Sequence, residues 1–388
     1  MRHTVDVVIV GAGLVGLSLA RALAGSGLSL ALVEPQPQVA TLPEENWDNR
    51  IYAVSPGCAS FLESCGAWQR LSQDRLARIE AMRVFGGDAA CLEFTAYDAG
   101  LRELAFIVES RRLQRALWEA MHGQDIQIHC PASWTALEFH ADRAVLRLDS
   151  GVELAARLVV GADGSESRVR EQAGITVTPA DYRQLGVVAN FFCEKPHRGT
   201  AFQWFISDGV LALLPLPGER VSMVWSIGQE RAKNLLALPA EELAAEVESA
   251  SRGAVGGLRL MAPAAGFPLK LQRVAQFTKQ RVALAGDAAH NVHPLAGQGV
   301  NLGFRDARVL AGVLMERGPQ RDCGDHALLR RYERARKEDV AATQLTTDGL
   351  QKLFKSEAVL FTGARNLGLN LVNSQPLLKN LLVHHATA

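Results

Sequence analysis

The chain has no excess of either charge: Lys plus Arg and Asp plus Glu both total 41 in 388 residues. That balance removes the electrostatic case for a nucleic-acid partner. Paired cysteines are also missing. Cys58, Cys65, Cys91, Cys130, Cys193 and Cys323 include no Cys-x-x-Cys pair, and none stands with His at metal-ligand spacing. Dithiol redox chemistry and a metal centre are therefore not expected, and isolated reduced thiols suit a cytosolic protein. No apolar run approaches the roughly 18 uncharged residues of a spanning helix. No signal-peptide pattern follows Met1, so the expected location is cytoplasmic. Neither an internal repeat nor a low-complexity segment is visible.

What is present begins with pattern. Val5 to Val10 is a nearly continuous apolar run with Asp6 its only charge, and it predicts a buried parallel strand. Leu14 to Ala24 has helical spacing, and Ser29 to Val33 is a second apolar run. Strand, turn, helix and strand make a βαβ unit. Pro35 to Asn49 predicts a surface loop. Ser55-Pro56 opens a helix expected to run towards Leu71, and Ser110 to Met121 predicts another. Ala144 to Leu148 and Leu154 to Val160 predict strands joined by a turn at Asp149-Ser150-Gly151. From Gln184 to Lys270, strand-like runs recur: Gly186 to Phe192, Val210 to Leu214 and Val221 to Ile227. One helix, from Pro239 to Ser251, is expected to interrupt them. Val282 to Ala285 returns to a buried strand, with helices beyond it. The expected fold class is α/β, with a sheet-rich domain inserted into a βαβ-type domain.

Three turns follow buried strands. In Gly11-Ala12-Gly13-Leu14-Val15-Gly16, the first glycine permits a tight turn and the second lets a pyrophosphate approach. Gly16 lets helix and strand pack closely. Glu34, ending the second strand, can accept hydrogen bonds from ribose hydroxyls, and an acid there argues against a 2′-phosphate. Alone, this unit does not separate a flavin dinucleotide from a nicotinamide one. The second turn is Gly161-Ala162-Asp163-Gly164. The third runs from Gly286-Asp287 through His290, His293 and Pro294 to Gly297-Gln298-Gly299, just before a helix. A well-placed turn explains any one of them; three in such positions are hard to explain by fold alone.

Together the three segments resemble the class A flavoprotein monooxygenases, the single-component aromatic hydroxylases. Further segments are similar to the ubiquinone-biosynthesis hydroxylases of that family. They are Asp48 to Gly57, Leu62 to Trp68, Ile107 to Leu117, Leu213 to Pro217, Gly286 to Asp306, Arg365 to Leu369 and Pro376 to Lys379. The resemblance covers essentially the whole chain, and Ser110 departs from it where the family often has Asn. It implies a Rossmann-like FAD-binding domain over 1–80, 101–183 and 276–345. It also implies an inserted antiparallel-sheet substrate domain over 81–100 and 184–275 and a C-terminal helical region over 346–388.

By that resemblance, FAD is held by Gly11, Gly13, Gly16, Glu34, Arg50, Arg111, Gln114, Asp163, Gly164, Gly286, Asp287, Pro294, Gly297, Gln298, Gly299 and Asn301. Asp287 is assigned to the ribityl hydroxyls, and Gly297, Gln298 and Gly299 to the flavin's pyrimidine edge. The implied reaction hydroxylates the ring of a polyprenylated phenol with oxygen through a flavin hydroperoxide, with NAD(P)H as transient reductant. No metal and no certain catalytic side chain is required. His290 is expected to shape its loop; His293, beside Pro294, is a candidate for the substrate side. Phe202, Trp204, Phe205, Leu213 and Leu214 are the expected pocket lining, with sheet core as the alternative. In the tail, Leu360, Leu367, Leu371, Leu378 and Leu382, interleaved with Lys352, Lys355, Arg365 and Lys379, suit a face docked on the protein. Peripheral contact with the inner membrane or with other ubiquinone-biosynthesis proteins is a second use for that face. Two rival functions stay open: hydroxylation of a small soluble phenol, and a flavin-binding scaffold subunit.

Overall fold

The computed structural model describes residues 2–38, 43–86, 90–206, 209–291 and 299–355, with Val383 and Thr387. Among these residues there are three sheets. The first is built round Arg2–Val10, flanked in parallel by Leu30–Val33 and Glu153–Gly161. Ile126–His129 extends it beyond Leu30–Val33, and Val282–Leu284 beyond Glu153–Gly161, again in parallel. Such strands are covered on both faces, which is why they appear as unbroken apolar runs. Helices Leu14–Leu23, Ser110–Ala120, Gly299–Met315 and His326–Lys355 share one hydrophobic core with this sheet.

Register decides where function can lie. Val10 pairs with both Gly161 and Val33, Gly161 with Leu284, and Val33 with His129. The parallel strands therefore end in line, and the segments that follow them leave from one edge. The carboxyl edge of an open parallel sheet is where such folds bind ligands.

The second sheet runs in the order His290–Asn291, Ala265–Val274, Val177–Cys193, Arg220–Gly228, Gly209–Leu216, Thr200–Ile206, Ala81–Gly86 and Ala90–Thr95. Its ladders are antiparallel except that between Thr200–Ile206 and Ala81–Gly86. One face is sealed by two helices, Gln229–Ala237 and Ala240–Ala250, through Leu235, Leu243 and Val247. The helix expected from Pro239 to Ser251 is present as Ala240–Ala250, and Gln229–Ala237 precedes it as an additional one. The latter was missed because only Ala232 and Leu235 are buried, too short a stripe to stand out. The helix opened by Pro56 stops at Ser64 rather than near Leu71, because Gly66 takes a left-handed φ of 72°. The opposite sheet face meets the third sheet, Ile51–Val54, Ala105–Glu109 and Ala77–Ile79, through Ala201, Leu214 and Leu216.

Candidate cofactor site

At the first turn, a side chain on Gly11 is impossible: its φ is 104°, and a Cβ there would lie 2.4 Å from the Ala162 carbonyl oxygen. A Cβ on Gly16 would lie 1.9 Å from the Gly11 carbonyl oxygen, so helix and strand touch backbone to backbone. Gly13 is different. A Cβ there would meet nothing within 4 Å. Gly13 also caps Leu14–Leu23 and, having no side chain, leaves that helix's first N–H groups uncapped by its own residue. Open space over exposed N–H donors at a positive helix end fits a dinucleotide pyrophosphate. Glu34 stands beside it: its carboxylate accepts from the Ala12 N–H at 2.6 Å and the Gln36 N–H at 2.9 Å. Gln114, on the helix Ser110–Ala120, donates to the Ala12 carbonyl at 3.0 Å.

The other two turns pack onto the first. Gly286 leaves Val15 about as close as a Cβ could tolerate, and a Cβ on Gly303 would come within 2.5 Å of Val15. Buried Arg170 joins the second and third turns, donating to the Ser165 carbonyl at 2.8 Å and the Ala288 carbonyl at 3.0 Å. Asp163 works within its own turn, accepting from Ser167 Oγ at 2.5 Å and the Val169 N–H at 3.1 Å; Gly164 leaves open space beside it. Asp287 is solvent-accessible between buried neighbours. Its enclosure pushes the carboxyl above the usual range, against the pull of His290 and Arg50. Tyr52 closes this side. Burial raises its phenol, opposed by the Arg50 charge and a hydrogen bond to Ser110.

Behind the third turn lies a polar network that the sequence did not disclose. Asp306, fully buried, accepts from the Gly286 N–H at 2.9 Å and from Arg336 Nε at 2.7 Å, and lies 2.6 Å from His290 Nε2. Burial alone would raise the Asp306 carboxyl; His290 and Arg336 overcome it and hold the group below its ordinary value. A charge in the apolar stripe of Gly299–Met315 was the available signal. His290 is thus held inside, facing Asp306. Asn301 spends its side chain on the Ser55 N–H at 3.0 Å and the Ala53 carbonyl at 2.8 Å, and its main-chain carbonyl accepts from Cys58 Sγ at 3.6 Å. His293, Pro294, Gly297 and Gln298 lie outside the described residues, as does most of the tail; Gly299 opens its helix.

The pocket expectation needs correction at Phe202, Trp204 and Leu213, where the sheet-core alternative holds. Phe202, Trp204 and Leu213 point to the helix-covered face and pack there with Trp225 and Leu235. Strand alternation turns their neighbours the other way. Phe205 is buried with Val84 and Leu92, and Leu214 packs near the third sheet. On the same side as Leu214, Val210, Ala212 and Val224 remain half-buried. These small residues, bracketed by bulkier ones, went unnoticed in the sequence.

The pattern of the FAD binding domain family matches residues 4–347. The chain is 37% identical to ubiquinone hydroxylase UbiL of Rhodospirillum rubrum, over 98% of this chain and 89% of that protein. It is 33% identical to 3-demethoxyubiquinol 3-hydroxylase of Escherichia coli, over 98% of each. The chain belongs to this family of FAD-dependent hydroxylases. Its fold is similar to PqsL of P. aeruginosa, solved with 2-aminobenzoylacetate: the TM-score is 0.77 at 25% identity, covering 93% of this chain and 99% of that one. It also matches the fold of p-nitrophenol 4-monooxygenase PnpA from Pseudomonas putida, with a TM-score of 0.79 at 18% identity, covering 100% and 99%. For an FAD-dependent hydroxylase, the open cradle at Gly13 and the acid at Glu34 are the expected fit to the ADP half of the cofactor. No helix among the described residues is long and apolar enough to cross a membrane.

Proposed function

We propose that this hydroxylase acts on the aromatic ring of a polyprenylated phenol, using oxygen and electrons delivered by NAD(P)H. The observation that carries the reading is the convergence of Gly13, Glu34, Gly164 and Asp287 on one sheet edge. The names of the relatives, a ubiquinone hydroxylase and a 3-demethoxyubiquinol 3-hydroxylase, support the substrate class. In this reading the pyrophosphate lies over Gly13 and the ribose on Glu34. Arg50, Arg111 and Gln114 line the cofactor, and Asp163 with Gly164 shapes the turn beside it. Asp287 takes the ribityl chain, and the resemblance assigns Pro294, Gly297, Gln298, Gly299 and Asn301 to the flavin side of the cofactor.

Bound FAD supplies the reactive oxygen. The protein's share is to hold the substrate ring against the cofactor and to keep water away. Val210, Ala212, Leu214 and Val224 form the apolar ceiling over the ring. Such a substrate partitions into lipid, so the protein works at the membrane surface, beside other enzymes of the pathway.

Complementation tests the reading. The chain should restore growth to a strain lacking one ubiquinone hydroxylase, and the strain rescued names the ring position. Rescue of none, with turnover of a small phenol by the purified protein, would instead establish the soluble-phenol reading.

A further inference from the structure

Asp48 lies in the loop before Ile51–Val54 and is only 9% exposed. Its carboxylate reaches two distant parts of the chain. Oδ1 accepts from the Arg50 N–H at 3.0 Å, and Oδ2 accepts from the Arg111 N–H at 3.1 Å. Its main chain is engaged too: the N–H donates to Glu109 Oε1 at 2.8 Å, and the carbonyl accepts from Asn190 Nδ2 at 3.0 Å. Glu109 is itself gripped by Arg75 and Arg112, each at 2.9 Å. Asn190 belongs to Val177–Cys193, in the large sheet. One buried acid therefore ties the cofactor-side corner to the sheet above it.

Both arginines fixed in this way present exposed side chains. Arg111 begins the same helix as Gln114, three residues on, whose amide reaches the glycine turn at Ala12. Arg50 acts electrostatically on Asp287 and lies 5.5 Å from the Tyr52 ring centroid. Arg111 is thus tied to the helix that reaches the first turn, and Arg50 acts on the acid of the third. Closing the corner does not require a carboxylate. The Ser110 N–H already donates to the Arg50 carbonyl at 2.9 Å, and Ile51 pairs with Glu109. Burying an acid is costly without a return. What the carboxylate adds is a fixed spacing between two main-chain sites 61 residues apart, which an amide cannot bond symmetrically because one of its ends is a donor.

We propose that Asp48 is the positioning residue of the cofactor cleft, setting Arg50 and Arg111 so that both flank a single bound FAD. The proposal rests on the reading of those arginines as FAD-binding residues. Two pre-set cations bind a dianionic ligand without first losing the freedom of their backbones.

The test uses the full-length chain, stripped of flavin and titrated with FAD by fluorescence quenching. Asp48→Asn should weaken FAD binding about tenfold, the cost of having to order the two arginines on binding. The unfolding temperature of the flavin-free protein should fall by a few degrees, equally with and without the two arginines, because one buried hydrogen bond is unmade. Asp48→Asn placed on Arg50→Ala/Arg111→Ala should cost FAD affinity almost nothing more, because its effect passes through the arginines. Unchanged affinity in Asp48→Asn overturns the proposal. So does an equal loss of affinity in both backgrounds, which marks a merely structural acid. If Arg50→Ala and Arg111→Ala each leave FAD binding intact, the reading beneath the proposal fails, and the proposal with it.

Discussion

Gly13 and Gly16 sit three positions apart, yet a methyl group would meet open space at one and a carbonyl oxygen at the other. That contrast separates binding from folding. Gly13→Val should leave the unfolding temperature of the flavin-free protein nearly unchanged, since nothing surrounds the new atoms. It should weaken FAD binding about tenfold or more by blocking the N–H groups that face the phosphates. Gly16→Ala should instead destabilise the fold, because the Gly11 carbonyl is main chain and cannot step aside. Thermal unfolding with and without FAD checks both. Normal FAD affinity in Gly13→Val would remove the pyrophosphate from this cradle. At this scale the glycines and Glu34 were legible, because a single backbone requirement specifies each. Asp48, Tyr52 and Arg170 were not, because their partners lie far away in sequence. Phe202 and Trp204 were misplaced because composition marks a buried strand without saying which face meets the helices.

Among the elements, the helix Gly299–Met315 and the long helix His326–Lys355 are joined through Asp306, Arg336 and Asp339. Arg336 reaches Asp306 at 2.7 Å and Asp339 at 2.5 Å. Asp306→Asn takes from buried Arg336 one of its two carboxylates, and a loss of about 1.5–3 kcal/mol is expected from denaturant unfolding. The pH dependence has a definite sign. The folded-state pKa of Asp306 is depressed, so its stabilising contribution is complete above the unfolded carboxylate value of about 3.9. It is lost as pH falls through the lower folded value. The unfolding temperature of the native protein should drop in that acid range, and that of Asp306→Asn should drop less. Parallel curves for the two proteins would show that the stabilisation lies elsewhere. The parallel strands could be anticipated from their apolar runs. The Gln229–Ala237 helix could not, because its buried stripe is only two residues deep.

Over the whole molecule, the proposed reading sets FAD at the carboxyl edge of one sheet and makes the other a ceiling, through the half-buried Val210, Ala212, Leu214 and Val224. That division was legible as a change of texture near Gln184, and the resemblance also assigned 81–100 to the substrate domain; Ala81–Gly86 enters the larger sheet by pairing across more than a hundred residues, and Ala90–Thr95 pairs onto it. Two consequences follow at this scale. FAD at about a hundred times its dissociation constant should stabilise the protein by about 2.7 kcal/mol, seen as a raised unfolding temperature. Ala212→Phe should fill the ceiling, leaving FAD binding intact while sharply reducing turnover of the ring substrate; unaltered kcat/KM would take the substrate off this face.

The central claim, an FAD-dependent hydroxylation of a prenylated ring, is tested most directly by isotope incorporation. Purified holoprotein, an electron donor and a short-chain prenylated phenol are incubated under isotopically labelled oxygen gas, and the product is weighed by mass spectrometry. The account predicts a ring hydroxyl carrying one labelled oxygen atom, absent when FAD is withheld. A product whose new oxygen comes from water, or consumption of the donor with release of peroxide and no hydroxylated ring, would contradict it.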